Sequence, residues 1–451
     1  MSQCNGTHRI PGCRRLRYGI VIPLAFLSAG IVAADDTSLA NAILGDTRLD
    51  TVLTLARSTV SSGFSAGSGY GEVWIRDFTT FMELACEVHP KELVRDKLLT
   101  FFHFQTENGD IADGYIPREQ ANISYKYRES ASMPDVLAHK NTVETDQESS
   151  LVIGVCRYAR CTGDTGIFAE DINDMTVSQR LERALGYVHG HRFDVTHGLV
   201  WGATTADWGD VQPEHEWGVE LDESSHLAID IYDNALYLVA IDEYLNSGAA
   251  IDEDTRIKWH GIRQTIADAV RAHLWDKDRG KFVPHIYLES SPFPASYDES
   301  AVHFHGGTAV AIEAGLLSRH EVTHVLRQMR ANVQAAGAAS IGLTVYPPYP
   351  RGFFKNPGMG PYSYQNGGDW TWFGARMIRQ LVRHGLVEEA YTELLPMLDR
   401  VIANKGFHEW YTVDNKPKGS DTYRGCAGVL YSAIVDLRAW AASHANLDIK
   451  E

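Results

Sequence analysis

Apolar segments of helical period, separated by connections of two very different lengths, constrain this chain more than any other feature. Residues 39–60, 78–102, 148–158, 177–188, 227–245, 256–275, 307–317, 320–335, 370–384, 387–403 and 425–442 carry apolar side chains at helical spacing, about eleven helices in all. Short turns such as His384-Gly385 and Ser318-Arg319 fold neighbouring helices back as hairpins. The long connections cover residues 61–75, 106–140, 201–225, 290–305, 346–369 and 406–424. Connections of that length need either a function or disorder to explain them. Their content of Trp, Tyr, Gly and Asp argues against disorder. The pattern predicts an all-α (α/α)6 barrel, a ring of helical hairpins with the long loops on one rim. An open helical solenoid is the competing arrangement. Strand signals are few, residues 281–286 being the clearest.

The first 34 of the 451 residues read as a signal peptide rather than as fold. Arg14, Arg15 and Arg17 form a basic region, residues 18–32 an apolar one, and Val32-Ala33-Ala34 a small-residue cleavage site. The apolar run is short for a membrane span, so a secreted or periplasmic protein is expected, with an uncleaved anchor as the alternative. Residues 35–451 are then a single catalytic domain, since no Pro/Ser linker or low-complexity tract divides them. Loss of residues 1–34 removes four arginines and no acid, taking the net charge from −17 to −21. So negative a chain is a poor partner for nucleic acid or an anionic membrane surface. Oligomeric state is unreadable. Cys86, Cys156, Cys161 and Cys426 match no zinc spacing. Cys156 and Cys161 either bridge or stay as buried thiols.

Carboxylates among aromatic rings mark the candidate chemistry. Glu409 lies in Phe407-His408-Glu409-Trp410-Tyr411, before the polar turn Asp414-Asn415-Lys416-Pro417. Asp207 and Asp210 lie in Thr204-Thr205-Ala206-Asp207-Trp208-Gly209-Asp210. An anion among aromatic rings is costly to bury unless its charge is used. Two such sites, far apart in sequence, suit a pair of carboxylates converging on a glycosidic bond. Trp74-Ile75-Arg76-Asp77 opens a helix with a fork of donors beside an acceptor pair, suited to neighbouring sugar hydroxyls or to simple capping. Asp146 and Gln147 begin another helix and either cap it or reach a hydroxyl. Gln365-Asn366-Gly367-Gly368-Asp369-Trp370 combines amides, glycines and an indole, more than a helix cap requires.

These segments, in order, resemble those of the six-hairpin glycosidases, the group of glucoamylases, trehalases, processing α-glucosidases and neutral invertases. Trp74-Ile75-Arg76-Asp77-Phe78 is similar to the Trp-x-Arg-Asp segment that holds the nonreducing sugar in glucoamylases. Lys355-Asn356-Pro357 leading to residues 364–370 looks most like the neutral invertases. Glu409-Trp410-Tyr411, with Asp414 and Gly419, is similar to the segment carrying the base. Thr205-Ala206-Asp207-Trp208 sits where trehalases and processing glucosidases have the general acid. The resemblance runs as short islands over roughly residues 70–440, and it departs from the invertases at the acid segment, which leaves sucrose out of reach as an inference.

The resemblance implies an inverting glycoside hydrolase acting on an oligosaccharide or small glycoside of gluco configuration, without a cofactor. Asp207 is the expected general acid, with Asp210 its competitor, and Glu409 the base that activates water. Trp74, Arg76, Asp77, Asp146, Gln147, Trp208, Gln365, Asn366, Gly367, Asp369 and Trp370 are the expected sugar-binding residues. His215, His303 and His305 lie in long loops but offer no third ligand for a metal ion. The competing functions are a sugar epimerase or isomerase using His408 on the same barrel, a phosphorolytic enzyme, and a noncatalytic glycan-binding protein.

Overall fold

A computed structural model describes residues 26–121 and 125–445, with side chains from residue 36. Of the span expected to be a signal, residues 1–25 lie outside these and residues 26–34 form the first part of a helix that continues to Gly45. Among the described residues fourteen α-helices alternate with short strands. They are α1 (Phe26–Gly45), α2 (Thr47–Ser61), α3 (Ile75–Thr80), α4 (Met82–Val88), α5 (Lys91–Phe102), α6 (Gln147–Thr162) and α7 (Val177–His191). The second half has α8 (Ile231–Leu245), α9 (Glu253–Ala269), α10 (His305–Glu313), α11 (Arg319–Ala336), α12 (Thr371–Arg383), α13 (Val387–Asn404) and α14 (Arg424–His444).

The helices form two concentric layers. Helices α3, α6, α8, α10, α12 and α14 touch one another in that order, and α14 returns to α3 and α4, closing the ring. Ring helices are buried nearly all round: every residue of α10 but Glu313 is buried, and so are almost all of α8. A helix hemmed in on every side needs apolar or small residues on every side, which Thr308-Ala309-Val310-Ala311-Ile312 supplies. The outer helices bury one stripe. In α11 it is Val322, Val325, Leu326 and Met329, at the three- and four-residue spacing of one helical face. Its ends are fixed by a capping box between Ser318 and Glu321 and by Gly337 in the left-handed region.

The observed fold is the (α/α)6 barrel read from the pattern, with four local differences. The run 39–60 is broken at Asp46, which caps α2 through the Arg48 N–H. The run 78–102 is three helices, interrupted at Phe81 and at His89-Pro90, because Pro90 cannot continue α4 and instead opens α5. Residues 227–229 form a strand before α8 rather than its first turn, and Asp230 caps that helix. The expected strand at 281–286 is two short strands, Lys281–Phe282 and Ile286–Tyr287, in different sheets. Cys86, Cys156, Cys161 and Cys426 are all free thiols.

Outer-to-inner connections are long and inner-to-outer ones mostly short, residues 163–176 after α6 being the exception, and every ring helix begins on the same rim. Their first turns carry Trp74, Asp146, Trp370 and Tyr423 as N-cap residues. That rim is where the site lies.

Candidate active site

A cavity of about 780 Å³ opens on this rim. From α3 it is lined by Trp74, Arg76 and Asp77. Strand Val73–Trp74 pairs with Gly114–Pro117, which fixes the direction in which α3 enters. Arg76 donates from Nε to Asp146 at 2.7 Å and from Nη2 to Glu144, and Asp113 lies 3.6 Å away. Three carboxylates against one guanidinium are an excess. Burial pushes the Asp113 carboxyl up to about 7 and that of Glu144 well above its ordinary range. Burial also raises Asp77.

Glu409 enters from the loop before α14, the ring helix that neighbours α3. It precedes strand Trp410–Tyr411, whose partner is Pro417–Lys418. Its N–H bonds the Ser420 carbonyl at 2.9 Å, and its Oε2 accepts from the Ser420 N–H at 3.0 Å and the Tyr70 hydroxyl at 3.1 Å. Burial pushes its pKa up to about 7. The hydrogen bonds from Ser420 and Tyr70 work against that rise, and the nearby Asp77 and Asp210 add to it. Gly419 holds φ at +68°, and any Cβ there would collide with the Glu409 carboxylate.

Asp210 lines the same cavity, its Oδ1 accepting from Gln365 Nε2 at 2.7 Å. Asp207, the favoured acid in the sequence, does not line it. Its oxygens accept from the Gly306 and Gly307 N–H groups at 2.7 and 2.8 Å, at the start of α10. Asp207 itself sits at φ +62°. It is an anchor that ties the loop to a ring helix, and Asp210 three residues on is the one turned towards the cavity. Trp208 lines the cavity and meets Trp370 and Trp372 edge-on, with centroids 4.7 and 5.1 Å apart.

Other expected binding residues divide in the same way. Gln365 and Trp370 line the cavity. Asp146, Gln147, Asn366, Gly367 and Asp369 do not. Asp146 holds Arg76 and accepts from the Tyr232 hydroxyl, and Gln147 bonds Lys140 and Asp146. Asn366 bonds the backbone of Tyr349 and Met359, and Gly367 takes φ +86° in the same loop. Asp369 accepts from Ser340 and pairs with Arg400 at 2.9 Å. A polar residue near a helix start can serve the protein's own groups as readily as a ligand's, and here Asp146 and Gln147 serve side chains, Asn366 the backbone and Asp369 both. His303 and His305 stack on each other away from the cavity, and His305 Nε2 meets Asn332.

Sequence reading missed Tyr70, Tyr125, Tyr364 and Tyr423, all on the cavity wall. The run Gly67-Ser68-Gly69-Tyr70-Gly71 could have flagged Tyr70, an aromatic among glycines that cannot be there for packing alone. It also missed the mouth, His215 to Val219, where Trp217 is 71% exposed.

No family profile matches the chain, and no curated protein matches it in sequence. Solved structures do resemble it. A GH63 mannosylglycerate hydrolase from Thermus thermophilus, in complex with glucose, superposes with TM-score 0.61 at 14% identity, over 84% of this chain and 99% of that one. A rhamnosidase from Klebsiella oxytoca with rhamnose bound gives 0.55 at 14% identity, over 86% of this chain and 63% of that one. A GH78 family rhamnosidase of Bacillus sp. GL1 gives 0.54 at 15% identity, over 86% and 34%. These are (α/α)6-barrel glycoside hydrolases of the six-hairpin type, and the chain shares their fold.

Proposed function

We propose that this chain is an inverting glycoside hydrolase in which Asp210 protonates the leaving oxygen and Glu409 activates water. One observation carries the reading: two carboxylates from opposite sides of the ring, each held by a named donor, share one cavity walled by Trp74, Trp208 and Trp370. Inversion needs an acid and a base on opposite faces of the sugar, with room for water between them. Glu409, gripped by Tyr70 and Ser420, is placed to orient a water molecule, and Asp210 is the carboxylate on the facing wall. Arg76 and Asp77 offer donors and acceptors to the hydroxyls of the ring bound between them.

A second reading exchanges the two roles. Burial raises Glu409 to about 7, the behaviour of a proton donor at neutral pH. The two are separated with glycosides of good and poor leaving groups. An acid is dispensable when the leaving group needs no proton, so Asp210→Asn should lose about 10²–10⁴-fold on an alkyl glycoside and little on a glycosyl fluoride. If Glu409→Gln shows that pattern instead, the roles are exchanged. Proton NMR of fresh product reads the configuration, and a retained anomer overturns the single displacement by water proposed for Glu409. The basic and apolar run before residue 35 is proposed as an export signal, tested by sequencing the N-terminus of the exported protein.

A further inference from the structure

Arg76 is the single Lys or Arg among the residues that line the cavity, against four acids: Asp77, Asp210, Glu216 and Glu409. Its charge is already engaged, since Asp146 and Glu144 accept from it and Asp113 stands behind. Near the mouth His215 lies 3.3 Å from Asp222 and Lys126 pairs with Glu220, while the exposed Lys355, next to Asn356, is not among the lining residues. Two ring-helix N-termini that could have received an anion are taken by the protein's own carboxylates, α8 by Asp230 and α10 by Asp207. Among the described residues, no Lys or Arg side chain on the cavity wall is left free to meet a carboxylate or phosphate on the leaving group.

We infer that the cavity takes glycosides whose leaving group is neutral or cationic and rejects those whose leaving group carries a carboxylate. The inference rests on the hydrolase reading for the words "leaving group", but the charge of the cavity stands without it. A carboxylate on the leaving group enters a cavity whose wall carries Asp77, Glu216 and Glu409 beside the proton-donating Asp210, and in a partly buried site that repulsion is weakly screened. A glycerol unit differs from a glycerate unit mainly by that carboxylate, so the two make a matched pair.

The full-length chain is assayed on glycerol and glycerate glycosides of the same sugar, with glucose, mannose and rhamnose in turn. The expected result is kcat/KM at least about ten-fold higher on the glycerol member, the gap narrowing as salt rises. Equal or faster turnover of the glycerate member overturns the inference and leaves the hydrolase reading intact. A second measurement needs no turnover: calorimetric titration with Tris, a polyol amine that is a cation at neutral pH, and with D-glycerate. Tris binding at least about ten-fold tighter supports the inference even if no glycoside is cleaved, in which case the hydrolase reading alone fails. Glycerate binding as tightly as Tris overturns it.

Discussion

Asp207 faces the start of α10 while Asp210 faces the cavity, so replacing each has its own signature. Asp207→Ala strips the partner from two buried N–H groups and should cost about 1–3 kcal/mol of stability, read as a lower urea midpoint. Asp210→Asn keeps size and most of the hydrogen bonding, so its loss should appear in turnover and not in the midpoint. On the reading that Glu409 is the base, it sets the pH profile. As base it must be ionised, and its pKa in the fold is about 7, so kcat/KM should rise as pH increases through about 7. Tyr70→Phe removes a hydrogen bond that favours the anion, and the same limb should move to higher pH. An unmoved limb would mean that Tyr70 does not reach the titrating group. Residue types named the two acid segments but not which acid within Asp207-Trp208-Gly209-Asp210. That choice depends on the turn at φ +62° and on two glycine N–H groups about a hundred residues away, neither of which local sequence encodes.

At the level of elements, the turn after the Glu409 strand carries as much of the geometry as Glu409 itself. Gly419→Ala asks a left-handed residue to accept a Cβ that collides with the carboxylate. The expected outcome is a fall in kcat of at least about ten-fold with the fold retained, measured by turnover beside circular dichroism. The mouth loop behaves differently. Trp217 lines the cavity yet is largely exposed, so Trp217→Ala should raise KM about five- to ten-fold and leave kcat near normal. Helices were legible because burial on one face or on all faces writes itself into periodicity. Breaks at Asp46, Phe81 and Pro90 were less legible, since apolar spacing continues across them while the backbone does not. Of the helix-start residues expected to bind sugar, Asp146 and Asp369 serve Arg76 and Arg400 instead. Capping, ion pairing and ligand binding draw on the same side chains, and only packing distinguishes them.

Across the whole molecule the ring closes last to first. Helix α14 packs on α12 on one side and on α1, α2, α3 and α4 on the other. A core substitution there should therefore weaken the entire structure and not one hairpin. Leu430→Ala, at a fully buried position, should cost about 2–5 kcal/mol and lower a single unfolding transition. Two separate transitions would contradict that cooperativity. The catalytic candidates belong to this scale as well. Asp210 hangs on the loop before α8 and Glu409 on the loop before α14, and those helices lie three places apart in a circle of six. The two carboxylates thus reach one cavity from facing arcs of a single hoop. A hoop that carries its working groups this way sets their spacing by its own girth, so enlarging a buried wall residue such as Ala309 to Val is expected to lower turnover without touching a residue at the rim.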